Sequence, residues 1–600
     1  MRPTRLIPLL QQAAAQALAD RYGLAIDPDT LVVQRTSRDH TGDYTLVLFP
    51  LMKHRLGSPE AIGQVLGQDL LDRLPHALAR FDLVKGFLNL TLTPAAWGQW
   101  LEFCLAQPDE ALCIDAGTGQ QVMLEFPSPN TNKPLHLGHL RNIFLGDSLT
   151  RILAAGGFAT VRANLYNDKG IHICKSLLAW QMEGCPTPEA TGLKGDHLVG
   201  NHYVRFDQLL KAQIQQLKDQ GLDEEQAKAQ APLQQEVQDL YRRWEAGDPA
   251  VVEPWRQLNA WVYAGFEVTF RNLGLPPFDV NYYESETYLR GREIIEEGLA
   301  HGVFFRKPDG SVWIDLTDEK LDEKLVLRSD GTSVYITQDL ATAELKYQQF
   351  GIDRSIYVIG NEQDYHMKVL IATLKRLGKP YARGMHHLSY GMVELPTGRM
   401  KSREGTVVDA DDLLAEMTAT AAAATAELGK TDSLDPQSLD ALHRSLGLGA
   451  LKYFLLKVDP ARRMVFNPEE SIDFKGHTGT FIQYTHARSA ALLRKAADQG
   501  LAPAAAPVPA ELGGAELELV RQLYHWPDAL AEAVRDYSPA VVANYVYDLA
   551  RAYSRFYTEA PVLKAATEAE RDFRLLLTAL TRQHLAAALG LLGIEAPERM

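Results

Sequence analysis

The sequence predicts an α/β protein in three parts: a small N-terminal α/β domain, a parallel-sheet domain with an insertion, and a C-terminal all-α bundle. A strand at 122–126, a helix through Leu140 and Phe144, and a strand near 160–165 form a β-α-β unit, which makes its two strands parallel. A polar stretch rich in Gln, Lys and Glu interrupts this pattern with helical spacing. Beyond about residue 411, strand signals nearly vanish and Ala/Leu-rich helical periodicity runs to the end.

Shorter patterns place the other elements. The first domain opens with a helical pattern of leucines and alanines and continues with strand-like runs at 45–49 and 87–92. Strand alternation resumes after the insertion, at 311–316, 332–337 and 355–359. The predicted domains cover residues 1–108, 109–410 with the insertion at about 190–260, a helical connector at 411–445, and 446–600.

Composition excludes several classes of protein. The 600 residues have 46% hydrophobic and 23% charged residues and a mean hydropathy of −0.19, which excludes a disordered, collagenous or membrane-embedded chain. No run approaches the ~18 apolar residues of a spanning helix, and residues 1–22 lack an apolar signal core. We therefore expect a cytoplasmic protein. The four cysteines form no C-x-x-C pair, so we expect reduced thiols and no metal site.

The charge balance argues mildly against a nucleic-acid partner. The chain carries 61 basic and 76 acidic residues, a net charge of −15, whereas nucleic-acid binders usually show a basic excess. From Arg444 to the end, however, 18 basic residues face 18 acidic ones, so the whole −15 lies in the first 443 residues. The C-terminal part is therefore the less repulsive one for a polyanion.

The first motif with chemical meaning is the segment 128–141, which lies between a predicted strand and the helix that follows it. The free N–H groups and positive dipole end of that helix suit a triphosphate. His136 and His139 share one helical face and can donate to phosphates, and Gly138 allows a base or ribose to lie against the backbone. The alternatives are a structural histidine pair and a two-His metal site, but the segment offers no third ligand for a metal.

The second motif is the basic loop Arg399-Met-Lys-Ser-Arg-Glu-Gly-Thr-Val-Val408. Basic and hydroxyl side chains on such a loop can close over phosphates. A lone basic run is also typical of a solvated loop.

Together these motifs resemble a known family. His136-Leu-Gly-His139 is similar to the HIGH signature and Met400-Lys-Ser-Arg403 to a KMSKS-type loop, the pair that marks class I aminoacyl-tRNA synthetases. Within that class the chain resembles arginyl-tRNA synthetases over essentially its whole length. This closer likeness is carried by 125–130, 166–172, 328–339, 357–366, 481–488 and 592–600.

The resemblance implies a Rossmann-like catalytic domain and an α-helical anticodon-binding domain. It implies an enzyme that activates L-arginine with ATP and Mg²⁺ and transfers it to tRNA(Arg), with no dedicated metal site and as a monomer. It also implies that the first domain contacts the tRNA elbow, and that arginine activation needs tRNA. The residues it assigns are His136, His139, Lys133 and Arg403 for catalysis; Gly138, His366, Met400, Lys401 and Ser402, with the two histidines and Arg403, for ATP; and Glu125, Ser128, Asn130, Tyr335, Asp339 and Gln363 for arginine.

Substrate chemistry agrees with this set. A guanidinium is a planar fork of donors that never deprotonates, so a selective pocket needs fixed carboxylate and amide acceptors. The resemblance implies that Asp339 and Tyr335 hold the guanidinium, with Glu125 and Asn130 toward the backbone end of arginine. Two alternatives stay open, because an aromatic residue on an alternating strand is often in the core and an Asp in a strand-to-helix turn can be an N-cap.

The sequence departs from the family pattern at two places, the KMSKS-type loop and position 169. Lys401 stands where the loop usually has serine, and the second lysine of the loop is absent. Lys133 lies just before the HIGH-like motif, from where many arginyl enzymes supply the missing cation. Lys169 stands where tryptophan is common, and no function is attached to it.

Residues of the helical bundle are candidates for contacts with unpaired anticodon bases through stacking or hydrogen bonds. Tyr545 and Tyr553 lie at helical spacing among apolar residues, so core packing is the alternative for at least one of them. The predicted tRNA-binding residues are Gln483, Tyr484, Arg488, Tyr545 and Tyr553.

Two other classes of function share parts of this pattern. A smaller nucleotidyltransferase would use H-x-G-H chemistry but has no use for a helical bundle of about 150 residues. A non-catalytic tRNA-binding relative would be free to lose the histidines and the basic loop, and this chain keeps both.

Overall fold

The computed structural model describes residues 5–37, 39–287, 291–332, 334–394, 408–428, 435–509 and 511–600. The chain forms two compact units. The first combines residues 1–116 with 474–591 and 595–600, and the second comprises 117–473 together with 592–594. No described helix combines the length and the apolar character that crossing a bilayer requires.

The N-terminal part of the first unit is a four-stranded antiparallel sheet covered by helices, as expected. Its strand order is β1-β2-β4-β3. The predicted strand at 45–49 ends earlier because Pro50 has no N–H to donate and the chain turns into a short 3₁₀ helix. The elements are α1 (Leu6–Tyr22), β1 (Val33–Arg35), β2 (Tyr44–Val47), α2 (Pro59–Arg73), β3 (Leu78–Val84), β4 (Phe87–Leu92), α3 (Pro94–Ala106) and α4 (Pro108–Ala111).

The second unit is built on a five-stranded parallel sheet. It begins with β5 (Gln121–Glu125), α5 (Leu137–Ala155) and β6 (Ala159–Tyr166), which confirms the predicted β-α-β unit. The strand order is β12-β11-β5-β6-β7, with β7 (Val280–Tyr283), β11 (Arg354–Gly360) and β12 (Met385–Tyr390). Because β6 and β11 lie on opposite sides of β5, the strand order reverses there. In open α/β sheets, ligands bind at the carboxyl ends of the strands beside such a reversal.

The insertion is helical, as its spacing predicts. Its longest helices bury one apolar face each, such as Leu233, Val237, Leu240 and Trp244 at intervals of three and four residues. The helices between β6 and β7 are α6 (Ile171–Met182), α7 (Pro188–Thr191), α8 (Gly195–Asp219), α9 (Glu224–Gln230), α10 (Pro232–Glu245) and α11 (Pro249–Asn272).

The prediction of a strand at 332–337 is wrong. Helix α14 (Tyr335–Phe350) begins there instead, because Ile336, Leu340 and Ala343 continue a buried face with helical spacing beyond the short alternating run. The strand predicted at 311–316 is β9, which pairs antiparallel in a separate three-stranded sheet. The elements that precede α14 are α12 (Glu284–Thr287), α13 (Gly291–Ala300), β8 (Phe305–Arg306), β9 (Val312–Ile314) and β10 (Lys324–Leu327).

The end of the second unit and the rest of the first are mostly helical, as expected. Helix α17 (Pro436–Leu456) runs without a break across the predicted domain boundary at 445/446, and the first unit resumes at Phe474. The remaining elements are α15 (Asp364–Arg376), β13 (Val393–Glu394), α16 (Ala410–Leu428), α17 (Pro436–Leu456), β14 (Met464–Val465), α18 (Pro468–Ser471), α19 (Gly479–Ala497), α20 (Gly514–Tyr524), α21 (Trp526–Asp536), α22 (Pro539–Glu559) and α23 (Glu568–Leu591).

Candidate active site

The two histidines of the HIGH-like segment cap the N-terminus of α5. The Gly138 N–H donates to His136 Nδ1 at 3.1 Å, and the His136 N–H donates to His139 Nδ1 at 3.1 Å. The rings lie against each other with centroids 3.8 Å apart. Because each Nδ1 accepts a hydrogen bond, the proton of each neutral ring is on Nε2. The segment therefore presents two Nε2–H donors beside the positive end of a helix dipole.

Both imidazoles are neutral. Burial, followed by the positive charge of Lys133, lowers the pKa of His136 to about 3. Burial and the neighbouring His136 and Lys133 also hold the pKa of His139 well below its usual value. As neutral rings they can donate hydrogen bonds to phosphate oxygens, which is the role that the sequence predicts for them.

Gly138 lies against the ring of His136. A Cβ atom added there would lie 3.0 Å from Cε1 and 3.1 Å from Nδ1 of His136. Glycine at this position therefore makes room for the His136 ring to fold back over the first turn of α5.

Residues 408–411 form backbone hydrogen bonds with the HIGH-like segment. The Leu137 N–H donates to Val408 O and the Ala410 N–H donates to Leu135 O, so the two segments pair as a short antiparallel bridge. A cavity of about 250 Å³ lies here, and its lining includes Lys133, His136 and Asp409.

A histidine of the insertion joins this wall, and sequence reasoning missed it. His197 of α8 lies 3.2 Å from an Asp409 carboxylate oxygen and 3.5 Å from one of Asp411. Hydrogen bonds to these two carboxylates raise the pKa of His197 to about 10. The three side chains are spaced closely enough to hold a metal ion, but Lys194 already forms an ion pair with Asp411 and supplies a positive charge there. No local pattern marks His197, since its partners follow about 210 residues later.

The predicted loop residues cannot be placed in the same way. Met400, Lys401, Ser402 and Arg403 lie outside the described residues. Their assignment to ATP and to catalysis stays a prediction from the sequence.

A group of acidic side chains lies near the N-terminus of α14. Asp339 is in the second turn of that helix and not at an N-cap, and its Oδ2 lies 2.6 Å from His366 Nε2. This hydrogen bond raises the pKa of His366. Tyr335 is the first residue of α14 and is 77% exposed, so it is not a core aromatic. The structure thus joins a predicted arginine ligand, Asp339, to a predicted ATP ligand, His366.

Glu284 is a second acidic group near Asp339 that sequence reasoning missed. Burial raises its pKa to about 7, and the charges of Asp168 and Asp339 act in the same direction. Asp168 itself is buried and accepts hydrogen bonds from Tyr263 and from the N–H and hydroxyl of Ser285. The position of Glu284 was a usable signal, because it directly follows β7 and the carboxyl ends of parallel strands share one edge.

The remaining predicted arginine ligands lie at the ends of β5 and β11. Glu125 ends β5, is 5% exposed and forms an ion pair with Lys346. The loop after it is held to β6, since the Ser128 N–H donates to Asn164 Oδ1 and Asn167 donates to Ser128 O. Asn130 and Gln363 are both exposed, and Gln363 lies in the turn that follows β11.

The predicted tRNA-binding residues divide into two groups. Tyr484 and Arg488 are partly exposed on α19, with the Arg488 guanidinium 4.6 Å from the Tyr484 ring centroid and 5.4 Å from that of Tyr557. Tyr557 is 41% exposed and was not predicted. Arginine and aromatic faces of this kind can stack on unpaired bases.

The other three side chains are in the core, so their assignment as base contacts is corrected. Tyr545 donates to Gln522 O, Tyr553 is fully buried in the bundle, and Gln483 donates to Glu595 O. The alternative of core packing thus holds for both tyrosines. Their spacing with Val542, Val546 and Leu549 on α22 is that of a buried helical face.

Comparisons with known proteins bear on the same regions. Residues 103–467 match the family of the class I tRNA synthetase (R) catalytic domain, and residues 482–600 match the DALR anticodon binding domain. A curated arginine–tRNA ligase of Bacteroides thetaiotaomicron is 49% identical over 581 residues, covering 96% of this chain and 97% of that protein. The corresponding protein of Parabacteroides distasonis is 48% identical over 590 residues, 98% of each chain.

Solved structures show the same likeness. The arginyl-tRNA synthetase of Thermus thermophilus has a TM-score of 0.80 and 28% identity, with 100% of both chains covered. The Plasmodium falciparum arginyl-tRNA synthetase has a TM-score of 0.78 over 100% of both chains at 17% identity, which bears on the fold alone.

Proposed function

The chain belongs to the arginyl-tRNA synthetase family of class I enzymes, and we propose how its own residues carry the reaction of that family. The enzyme is an arginine–tRNA ligase: it activates arginine with ATP and transfers it to the terminal adenosine of tRNA, releasing AMP and diphosphate. The observation that carries our assignment is the pair of neutral histidines at the N-terminus of α5.

In the first step, the arginine carboxylate attacks the α-phosphorus of ATP in line and diphosphate leaves. His136 and His139 donate their Nε2–H groups to phosphate oxygens, and the N-terminus of α5 favours the same negative charge. The ammonium group of Lys133 stabilises the negative charge that develops on the leaving diphosphate. No protein nucleophile is required. We expect Mg²⁺ to enter with ATP, bound mainly to its phosphates, which is its usual mode.

The arginine side chain lies in a pocket formed by the acidic side chains near the N-terminus of α14. Asp339 and Glu284 accept from the guanidinium, whose charge keeps Glu284 ionised despite its raised pKa. Tyr335 offers an exposed ring on which a planar guanidinium can stack. Ser128 and Asn130 face the backbone end of the substrate together with Glu125, and Gln363 contacts its polar groups.

In the second step, the 2′-hydroxyl of the terminal adenosine of tRNA attacks the carbonyl carbon of the mixed anhydride, so that an ester bond forms, the bond to the phosphate breaks and AMP leaves with the hydroxyl proton. For this acyl transfer the tRNA must also be bound by contacts away from its terminal adenosine. We assign the contact with the anticodon to Tyr484, Arg488 and Tyr557. Arginine and tyrosine faces stack on bases without needing a fixed sequence. A monomeric, cytoplasmic enzyme remains part of the proposal.

Diphosphate exchange into ATP tests the assignment of substrate. Each amino acid is offered in turn, with and without total tRNA. We expect exchange with arginine only, and only when tRNA is present. Exchange with a different amino acid would overturn the proposed pocket. Exchange that survives replacement of both His136 and His139 by alanine would overturn the proposed role of the two donors.

A further inference from the structure

A buried ion pair joins α14 to the carboxyl end of β5. Lys346 of α14 is 1% exposed and Glu125 at the end of β5 is 5% exposed, and the Lys346 Nζ contacts Glu125 Oε2. The ammonium also lies 4.4 Å from the ring centroid of Tyr357 on β11 and 5.8 Å from that of Tyr282 on β7. A cation is therefore enclosed by one carboxylate and two aromatic rings.

The spacing along α14 relates this pair to the proposed arginine pocket. Tyr335, Asp339 and Lys346 lie four and then seven residues apart, so they share one face of the helix. The register of the sheet places Glu125 opposite Tyr357, on the strand next to β5. On this face of α14, the residues assigned to the guanidinium of arginine lie in the first two turns of the helix. Lys346, which contacts Glu125 at the predicted backbone end of arginine, lies two turns further along.

We propose that Lys346 is a positioning residue for substrate recognition, which holds Glu125 ionised and oriented so that its second oxygen accepts from the α-ammonium group of arginine. This inference rests on the proposed role of Glu125. A carboxylate as buried as Glu125 would otherwise tend to take up a proton, and a protonated carboxyl could not attract an ammonium group. Because Lys346 Nζ contacts Oε2 of Glu125, Oε1 is the oxygen that can accept a hydrogen bond from the substrate.

The two tyrosines that face the ion pair cannot supply the positive charge that Lys346 places beside Glu125. Tyr282 and Tyr357 both have pKa values raised by burial, so they are neutral at physiological pH. Burial by itself disfavours the ammonium form of Lys346, but the charge of Glu125 raises its pKa above the usual value. The ammonium of Lys346 therefore stays charged near neutral pH.

The test is the pH dependence of the KM for arginine in aminoacylation, at saturating ATP and tRNA. Glu284 and His366 can titrate in the same range in every variant, so the measured quantity is the ratio of the KM in each variant to that of the wild type. In Lys346→Met this ratio should fall roughly tenfold or more as the pH rises from 6 to 8, because Glu125 must lose its proton to bind. Lys346→Arg retains a cation and should keep the ratio constant.

Arg162→Met is the matched control. Arg162 also forms a buried ion pair, with Asp147, but it lies outside the proposed pocket. Its loss should lower thermal stability while leaving the ratio constant with pH. A ratio for Lys346→Met that is raised but independent of pH would overturn the inference and leave Lys346 with a structural role only.

Two further variants separate this inference from the proposed role of Glu125. Glu125→Gln should raise the KM for arginine roughly tenfold. If it does not, the role of Glu125 fails, and the inference fails with it. The double variant Glu125→Gln/Lys346→Met should match Glu125→Gln within about threefold, since Lys346 acts through Glu125. A larger additional loss would overturn the inference, and this comparison also decides the case if Lys346→Met alone does not fold.

Discussion

Replacing Asp339 by asparagine tests the proposed arginine pocket most directly. The change keeps the shape of the side chain and removes one negative charge. A hydrogen bond to a charged group contributes ~1.5–3 kcal/mol, and each ~1.4 kcal/mol is a factor of ten. The Asp339 side chain is 35% exposed, so solvent screening favours the lower part of this range. We therefore expect kcat/KM for arginine to fall about 10- to 30-fold, with little change in the KM for ATP.

The same variant has a second readout at His366. The hydrogen bond that His366 donates to Asp339 raises the pKa of His366, so the NMR titration of this imidazole should move back toward its usual value in Asp339→Asn. Glu344→Gln is the matched control, because Glu344 lies on the same helix but contacts Tyr381 and Lys379. It should leave arginine kinetics unchanged. If Asp339→Asn shifts the His366 titration but has the arginine kinetics of Glu344→Gln, Asp339 only positions His366 and the pocket is misassigned.

The remaining predictions concern the phosphates, the wall of the cavity and the tRNA. Lys133→Ala should slow single-turnover adenylate formation at least roughly tenfold with ATP binding nearly unchanged, whereas Lys401→Ser should stay within ~10-fold of the wild type; an equal or larger loss in Lys401→Ser would place the main cation on the loop. The folded pKa of His197 is about 10, above its ordinary value near 6.5. Its ion pairs therefore stabilise the fold fully below about pH 6.5 and lose this effect as the pH rises toward 10, so the Tm deficit of His197→Gln should shrink over that window; a deficit independent of pH would contradict the pairing. Tyr484→Ala should raise the KM for tRNA about 5- to 150-fold, since stacking contributes ~1–3 kcal/mol per base, while Tyr553→Phe should not; equal effects of the two would refute the division between surface and core.

Local patterns predicted much of the fold. The β5-α5-β6 unit, the helical insertion and the helical C-terminal part follow from the period of buried residues along each segment, which neighbouring residues determine. The segment 332–337 shows the limit of this reasoning. Six alternating residues are compatible with a strand, but the buried face with helical spacing continues through Leu340 and Ala343, and this longer pattern favours the helix.

By itself, the sequence determined the β5-α5-β6 unit, the helical insertion, the helical C-terminal part, the two histidines at the start of a helix and the family resemblance. Only the tertiary structure decided which charges meet. Asp339 and His366 are 27 residues apart in the chain, and Glu125 and Lys346 are 221 apart. Tertiary packing also turned Tyr545 and Tyr553 into the core and left Tyr557 exposed. The reason is physical: a local pattern reports which face of an element is apolar, whereas the partner of a buried charge depends on strand register and helix packing between segments far apart in the chain.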